Sequence, residues 1–340
     1  MTESVNILVT GPDLDQEASA LIEKAGIHKI HTPPYPSDDV LIDHLTRYRP
    51  QGVISRMGKI GAHIMDAAPD LKVISKHGAG VDNIDVDAAS KRGIAVVRAP
   101  GANALSVAEH TIALLLATVK QIVPLDRGLR DGRWEKAGFL GVEIAGKTLG
   151  LVGFGAIARH TARLASGLGL NVIAYDPMAD EALFNTENIK RVATVEELLA
   201  ISDIVSLHCP LLPATRHLIN AQSLQSMNPQ SYLINTARGG LIDEAALLPA
   251  LQSGHIAGAG LDTFEQEPPA QNNPLMNERT VVVTPHVGGV TAGAGRRVGV
   301  LAVEGIIKLL DGEEIAQERI VNPEIFTTGK ARLSKTALNA

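Results

Sequence analysis

The chain has 340 residues, 45% of them hydrophobic and 20% charged, with a formal net charge of −6. That length exceeds one typical core and predicts two domains, in a composition ordinary for a soluble globular protein. Net acidity, the lack of a long basic run and only 3% aromatic residues exclude a phosphate-backbone binder and a base-stacking platform, so no nucleic-acid partner is expected.

In chain order, the opening MTESVNILVTG has no basic segment ahead of a long apolar run, so no secretory signal is read. Short β-branched runs then alternate with helical periods. NILVTG, GVISR, LKVIS and IAVVRAP read as strands; DLDQEASALIEKAG and SDDVLIDHLTRY read as helices. A long helix follows over about 103–123, capped by Ser106 with Glu109 or equally well by Asn103. Its apolar stretch TIALLLATV is well short of the roughly 20 residues that span a bilayer, so a cytoplasmic protein without a membrane partner is expected.

A second series starts after residue 145, with strands TLGLVGFG, NVIAYD, DIVSLHC, SYLINTA, HIAGAGLD and TVVVTPH. Thr194 and Glu197 fit a capping box on TVEELLAIS, and Gly254 is a stop after EAALLPALQS. A second long helix over about 291–311 ends at Gly312; after Phe326 the small, polar tail, 326–340, is expected to be poorly ordered. The βαβ alternation predicts mainly parallel sheets covered on both faces. Cys209 is the single cysteine, which excludes an internal disulfide and a Cys-rich zinc site; no metal-ligand set is read.

The strongest single motif is LGLVGFGAIARHTARLASGLG. A strand meets Gly153-Phe154-Gly155-Ala156-Ile157-Ala158 and a helix follows. Gly153 permits the tight turn, Gly155 lets a pyrophosphate approach the backbone and helix start, and Ala158 allows close helix–strand packing. The next strand ends in Asp176, eighteen residues after Ala158, where a carboxylate accepts both ribose hydroxyls of NAD and repels the 2′-phosphate of NADP. The competing reading is an ordinary βαβ turn with a helix-capping acid; strand, glycines, helix and acid together favour NAD.

Three distant residues fit one chemistry. Arg238 follows SYLINTA, Glu267 lies beyond HIAGAGLD, and His286 ends VVVTPH, each at or past the end of a strand, where open parallel sheets place ligands. Taken singly they read as a turn cation, a loop acid and a histidine bonded to backbone. Together they supply what hydride transfer at a 2-hydroxy acid requires: an imidazole for the hydroxyl proton, a carboxylate to orient it, and a fixed guanidinium for the substrate carboxylate and developing oxygen charge.

The motifs HGAGVDNID, SVAEHTIALLLA, DGRWEKAGFLGVEIAGKTLGLVGFG, INTARGGLIDEAAL, GLDTFEQEPP and VVVTPHVGG occur in one order, and on them the chain resembles the D-isomer-specific 2-hydroxyacid dehydrogenases, most of all the phosphoglycerate dehydrogenase branch. The resemblance covers roughly residues 50–325. It implies Arg238 as substrate ligand, Glu267 as partner of the acid/base His286, and Asp262 at the nicotinamide carboxamide. His77, Gly78, Ala79 and Gly80 would form a substrate-carboxylate cradle of backbone N–H groups. Cofactor contacts would extend to His208, Cys209, Pro210, Thr215, Thr236, Ala237, Gly288 and Gly289, with Cys209 a wall residue and not a nucleophile. The architecture implied is a Rossmann NAD-binding domain, about 104–289, inserted into a flavodoxin-like substrate domain of 1–103 and 290–325, with the active site in a cleft between them. It also implies a homodimer through the nucleotide-binding domain, with Trp134 either in that interface or buried in its own chain.

Departures are visible. The family often has arginine at Ala156, and the phosphoglycerate branch usually has Asn where Arg98 stands. A chain ending at 340 leaves no room for the C-terminal regulatory domain of many members of that branch. Arg56, Lys59, Lys76 and Arg98 near strand ends of the first domain are candidate ligands for an acidic or phosphorylated substrate tail, with Asn103 a further substrate contact; solvated loop charges are the plainer reading of the cations. The expected activity is NAD-dependent oxidation or reduction at C2 of a D-2-hydroxy or 2-oxo acid, phosphoglycerate dehydrogenase-like. The alternatives are a glyoxylate or hydroxypyruvate reductase, and a non-catalytic NAD-sensing protein of the corepressor kind. Formate dehydrogenase is disfavoured because its relatives carry Gln where Glu267 stands.

Overall fold

The computed structural model describes residues 5–333. The chain divides into two compact α/β units, one of residues 1–103 and 290–340, the other of 104–289.

The first unit holds a parallel sheet of β1 (Asn6–Val9), β2 (His28–His31), β3 (Gly52–Ser55), β4 (Val73–Lys76) and β5 (Ala95–Val97) in the order β2-β1-β3-β4-β5. The alternation of strand side chains sorts its two faces. Ile7, Val9, Ile54, Val73, Ala95 and Val97 pack with Ile22 and with Ala302, Val303, Ile306 and Leu309 of the helix Ala292–Asp311. Leu8, Val53, Ile74 and Val96 face the other way, onto Leu41, Leu45, Ile64 and Met65. Asp15 caps the helix Gln16–Lys24 by accepting from the N–H groups of Glu17 and Ala18. The Ala292–Asp311 helix stops at Gly312, whose φ of 76° is left-handed.

The second unit holds seven parallel strands: β6 (Thr148–Val152), β7 (Asn171–Tyr175), β8 (Lys190–Arg191), β9 (Ile204–Leu207), β10 (Ser231–Asn235), β11 (Ile256–Leu261) and β12 (Val281–Val283). Their order is β12-β11-β10-β9-β6-β7-β8, so the direction of winding reverses between β6 and β9. One face is covered by the helices Ala104–Val119 and Ala156–Gly167, through Leu114, Leu115, Ala158, Ala162 and Ala165. The other is covered by Leu198, Leu199, Leu224, Leu247 and Leu251.

Several local expectations are corrected. The helix read over 103–123 is two: Ala104–Val119 and Ile122–Arg130, separated at Gln121 with φ 53°. Pro124 explains the break, because a continuous helix would set its ring against the carbonyl of Lys120. The helix begins at Ala104, so Asn103 stands at the cap position and Ser106 lies inside it. At Thr194 half of the capping box forms: its hydroxyl accepts from Glu197 N, but the Glu197 carboxylate accepts from Ala193 N. Of the segment read as a loose tail, Phe326, Ala331 and Leu333 pack on the core of the first unit, while 327–330 is exposed. Arg332 N–H donates to Gly93 O, its guanidinium donates to Pro69 O and Leu71 O, and Leu333 is buried. Residues 334–340 lie outside the described residues. Among the described residues no single helix is long and apolar enough to cross a membrane.

Candidate active site

The reversal between β6 and β9 is where a doubly wound sheet opens a crevice for a ligand. Gly153, just after β6, has φ 96°, and a Cβ there would lie 2.8 Å from His208 C and Cys209 N in the loop after β9. Only glycine fits. Gly155 is the N-cap of Ala156–Gly167, and a Cβ on it would meet no atom within 4 Å. Its role is to leave space ahead of a helix start whose first N–H groups have no intrahelical acceptor. Ala156 and Ile157 open that helix and are partly exposed.

Asp176 ends this turn. Its Oδ2 accepts from Phe154 N at 2.8 Å and its Oδ1 from Met178 N at 2.9 Å. Each oxygen keeps a lone pair, enough for two ribose hydroxyls. Phe154 itself is a core residue: it is 1% exposed and stacks on Phe184 with ring centroids 4.5 Å apart. Its expected cofactor role therefore reduces to backbone, and its N–H is already given to Asp176.

The loop after β9 is arranged internally. His208 bonds Ser206 Oγ through Nε2 at 2.9 Å, and burial pushes its pKa down to about 4. Burial pushes the Cys209 thiol up to about 11, with Asp176 adding to the effect, so it is protonated at neutral pH and no nucleophile. The Thr215 hydroxyl donates to Pro210 O and accepts from Leu212 N, both at 2.7 Å, closing the turn. Thr236 is buried and shares a 2.7 Å hydroxyl bond with Thr111; Ala237 N donates to Asn235 Oδ1.

Arg238, Glu267 and His286 come together in this unit. A Cβ on Gly239 would fall 1.8 Å from Phe264 C, so the Arg238 loop can lie against the backbone that leads to Glu267 only because residue 239 is glycine. Glu267 Oε2 lies 2.7 Å from His286 Nδ1, and its Oε1 accepts from Phe264 N at 3.1 Å. Burial pulls the Glu267 pKa upward, but the bond to His286, that ring's charge, the Phe264 N–H and the Arg238 guanidinium outweigh it, and the net shift is down. The pair is thus a carboxylate holding an imidazole by Nδ1, with Nε2 left for other partners.

Asp262 is 1% exposed and largely taken up by its own fold. Its Oδ1 accepts from Thr284 Oγ1 at 2.6 Å and Val287 N at 2.9 Å, and its Oδ2 from Gly288 N at 2.8 Å. Of about four lone-pair sites on a carboxylate, that leaves one, on Oδ2, for a carboxamide. Gly288 is buried and Gly289 partly exposed. Thr284 also meets His110 Nε2 at 2.9 Å. These last two are polar partners that sequence reading passed over; the one signal was a histidine set in the otherwise apolar AEHTIALLLA.

The remaining candidates belong to the first unit. His77 N donates to Ser55 O and Gly78 N to Lys76 O, whereas the N–H groups of Ala79 and Gly80 have no acceptor among the described residues. Gly78 has φ 152°. Burial, with the charges of Arg56 and Lys76 beside it, pushes His77 down to about 4. Arg56 is committed to its own fold: its Nη1 donates to Asp13 O at 2.7 Å and also to Pro12 O. Arg98 Nε donates to Glu318 O at 3.3 Å, Lys76 Nζ to Asn83 Oδ1 at 2.8 Å, and Lys59 is exposed. Asn103, partly exposed, precedes the helix at Ala104.

The family model of the D-isomer specific 2-hydroxyacid dehydrogenase NAD-binding domain matches residues 112–288. The chain is 41% identical over 310 residues to a hydroxypyruvate reductase of Thermotoga maritima, covering 91% of this chain and 95% of that one. It is 38% identical over 308 residues to a D-3-phosphoglycerate dehydrogenase of Archaeoglobus fulgidus, covering 91% of this chain but 58% of the relative, so it spans about three-fifths of that length. A crystal structure of the TT0316 protein from Thermus thermophilus superposes with a TM-score of 0.84 at 34% identity, over 93% of this chain and 100% of that one. The nucleotide turn, the order of the strands and these likenesses agree: the chain belongs to the D-isomer-specific 2-hydroxyacid dehydrogenases, with an NAD-binding domain over the Gly153 turn.

Proposed function

We propose that the protein catalyses NAD-dependent interconversion of a D-2-hydroxy acid and its 2-oxo acid, in the manner of phosphoglycerate dehydrogenase. The observation that carries this reading is the 2.7 Å contact of His286 Nδ1 with Glu267 Oε2, beside Arg238. Bound NAD supplies the acceptor or donor of hydride. The open space at Gly155, the lone pairs of Asp176 and the remaining Oδ2 site of Asp262 suit that dinucleotide. His286 takes the hydroxyl proton on Nε2 during oxidation and returns it during reduction, while Glu267 fixes the ring and balances its charge. Arg238 binds the substrate carboxylate and the developing oxygen charge. The free N–H groups of Ala79 and Gly80 suit an anionic substrate oxygen.

A second reading, reduction of hydroxypyruvate or glyoxylate, is favoured by Arg56 and Arg98. Both spend guanidinium N–H groups on backbone carbonyls, which weakens their case as phosphate ligands. Steady-state assays with NADH against hydroxypyruvate, glyoxylate and simple 2-oxo acids, and with NAD against 3-phosphoglycerate, decide. Turnover of any of them supports the chemistry, and the ranking names the branch. Tight NADH binding with no turnover would overturn the enzyme reading. Arg56→Ala and Arg98→Ala that leave KM for a phosphorylated acid unchanged would remove those side chains from the substrate site.

The protein is also proposed to be a cytoplasmic homodimer that pairs through the second unit. Ile122, Val123, Leu129, Trp134, Phe139 and Leu140 expose apolar surface there, Trp134 at 76% and Leu140 at 90%. Sedimentation of the intact chain tests it.

A further inference from the structure

We infer that His110 is a positioning residue for His286, acting through Thr284 and Asp262; the inference rests on His286 being the acid/base. Asp262 is the main tether of the loop that carries His286. Asp262 accepts three consecutive N–H groups: His286 N on its carbonyl at 2.8 Å, Val287 N on Oδ1 at 2.9 Å, and Gly288 N on Oδ2 at 2.8 Å. His286 has φ 54°, a left-handed conformation that a non-glycine residue keeps only when its surroundings impose it. These tethers impose it.

The grip of Asp262 has a support of its own. The Thr284 hydroxyl has one hydrogen, and the 2.6 Å bond to Asp262 Oδ1 uses it. Toward His110 Nε2, 2.9 Å away, the same oxygen must accept, so His110 carries its proton on Nε2. The relay therefore runs from His110 Nε2–H to Thr284, and from the Thr284 hydroxyl to the buried carboxylate that folds 286–288. The ring also closes the loop sterically: its Cδ2 would lie 3.3 Å from a Cβ on Gly288. His110 Nε2 is 3.4 Å from Asp262 Oδ1 as well, a longer contact that reinforces the same oxygen. Removing the donor leaves the Thr284 hydroxyl held only by its bond to Asp262. That carboxylate and the 286–288 loop then lose one side of their support, and the imidazole of His286 loses its fixed approach to Glu267.

The test uses the intact chain with His110→Phe, His110→Gln, Thr284→Val and the Phe/Val double variant. His110→Phe and Thr284→Val are each expected to lower kcat about tenfold or more, since small misplacements of a reacting group are costly. Any loss of NADH affinity, through the Oδ2 that Asp262 offers the carboxamide, should be smaller than the loss of kcat, the split expected when positioning more than binding is lost. His110→Gln, which keeps an N–H donor near Nε2, should recover most of the loss, and the double variant should be no worse than the poorer single one. Unchanged kcat in both single variants, multiplicative losses, or a Gln variant as poor as Phe would each overturn the inference. If His110→Phe does not fold, Thr284→Val and His110→Gln carry the decision. An independent readout is the Cε1–H resonance of His286 in histidine-labelled protein, expected to shift or broaden in His110→Phe and Thr284→Val. If the wild type turns over no 2-oxo acid, the proposed function fails; a resonance unmoved by either variant then refutes the positioning role separately.

Discussion

His286, Glu267 and Arg238 are the residues on which the proposed chemistry turns. His286→Ala should lower kcat by about three orders of magnitude, the usual scale for losing a positioned acid/base, while NADH affinity, measured by fluorescence titration, barely changes. Asp176→Ala should narrow the ratio of kcat/KM for NADH over NADPH, because the carboxylate that would repel a 2′-phosphate is gone; a wild-type preference for NADPH would contradict that assignment. These residues could be picked out in sequence because each lies a few residues past the end of a strand inside a long motif. The support behind them was not. Thr284 and His110 are separated by 174 positions and meet only in the folded unit, and neither hydroxyl nor imidazole has a spacing signature of its own. Arg56 shows the converse: its charge was visible, but not that backbone carbonyls occupy it.

At the scale of elements, the glycine turn separates two jobs that the sequence motif merges. Gly153→Ala demands a left-handed alanine, costing about 1–2 kcal/mol, and drives its Cβ to 2.8 Å from the His208–Cys209 backbone. It should lower the thermal midpoint of the apoprotein. Gly155→Ala meets nothing in the protein. It should leave that midpoint nearly unchanged and weaken NADH binding, so calorimetry of both variants with and without NADH distinguishes packing from ligand clearance. Most strands were readable because buried parallel strands are runs of Val, Ile and Leu. β2, HKIH, was not, because it is an edge strand with only Ile30 buried. The two-residue β8 is too short to leave a pattern. Pro124 was in plain view, yet its effect falls four residues upstream, where the long apolar period runs on.

For the molecule as a whole, two histidines set an acid limit. His77 and His208 have folded pKa values of about 4 against 6.5 for an unperturbed ring. Because the fold disfavours the charged form, the unfolded chain binds these protons first as pH falls. Their contribution is complete above pH 6.5 and is lost between 6.5 and about 4, amounting to at most ~3 kcal/mol each. Glu267, with its lowered pKa, adds stability above its unfolded value of 4.5 that fades as pH drops through the folded one. Urea midpoints between pH 7.5 and 4.5 should therefore fall steadily, and His208→Gln should flatten the upper part of that fall. A wild-type midpoint that is level from 6.5 to 4.5 would show that these rings titrate normally in the fold.

The helix Ala292–Asp311 covers one face of the first sheet, and the segment to Leu333 seals its rim. Both come after the whole of 104–289 in the chain. On the ribosome, β1 to β5 must therefore wait with a greasy flank open while all the later strands are made. The nascent protein is most vulnerable to aggregation and to proteases during that interval, and a chaperone that shields Ile7, Ile54 and Val73 would find its client there.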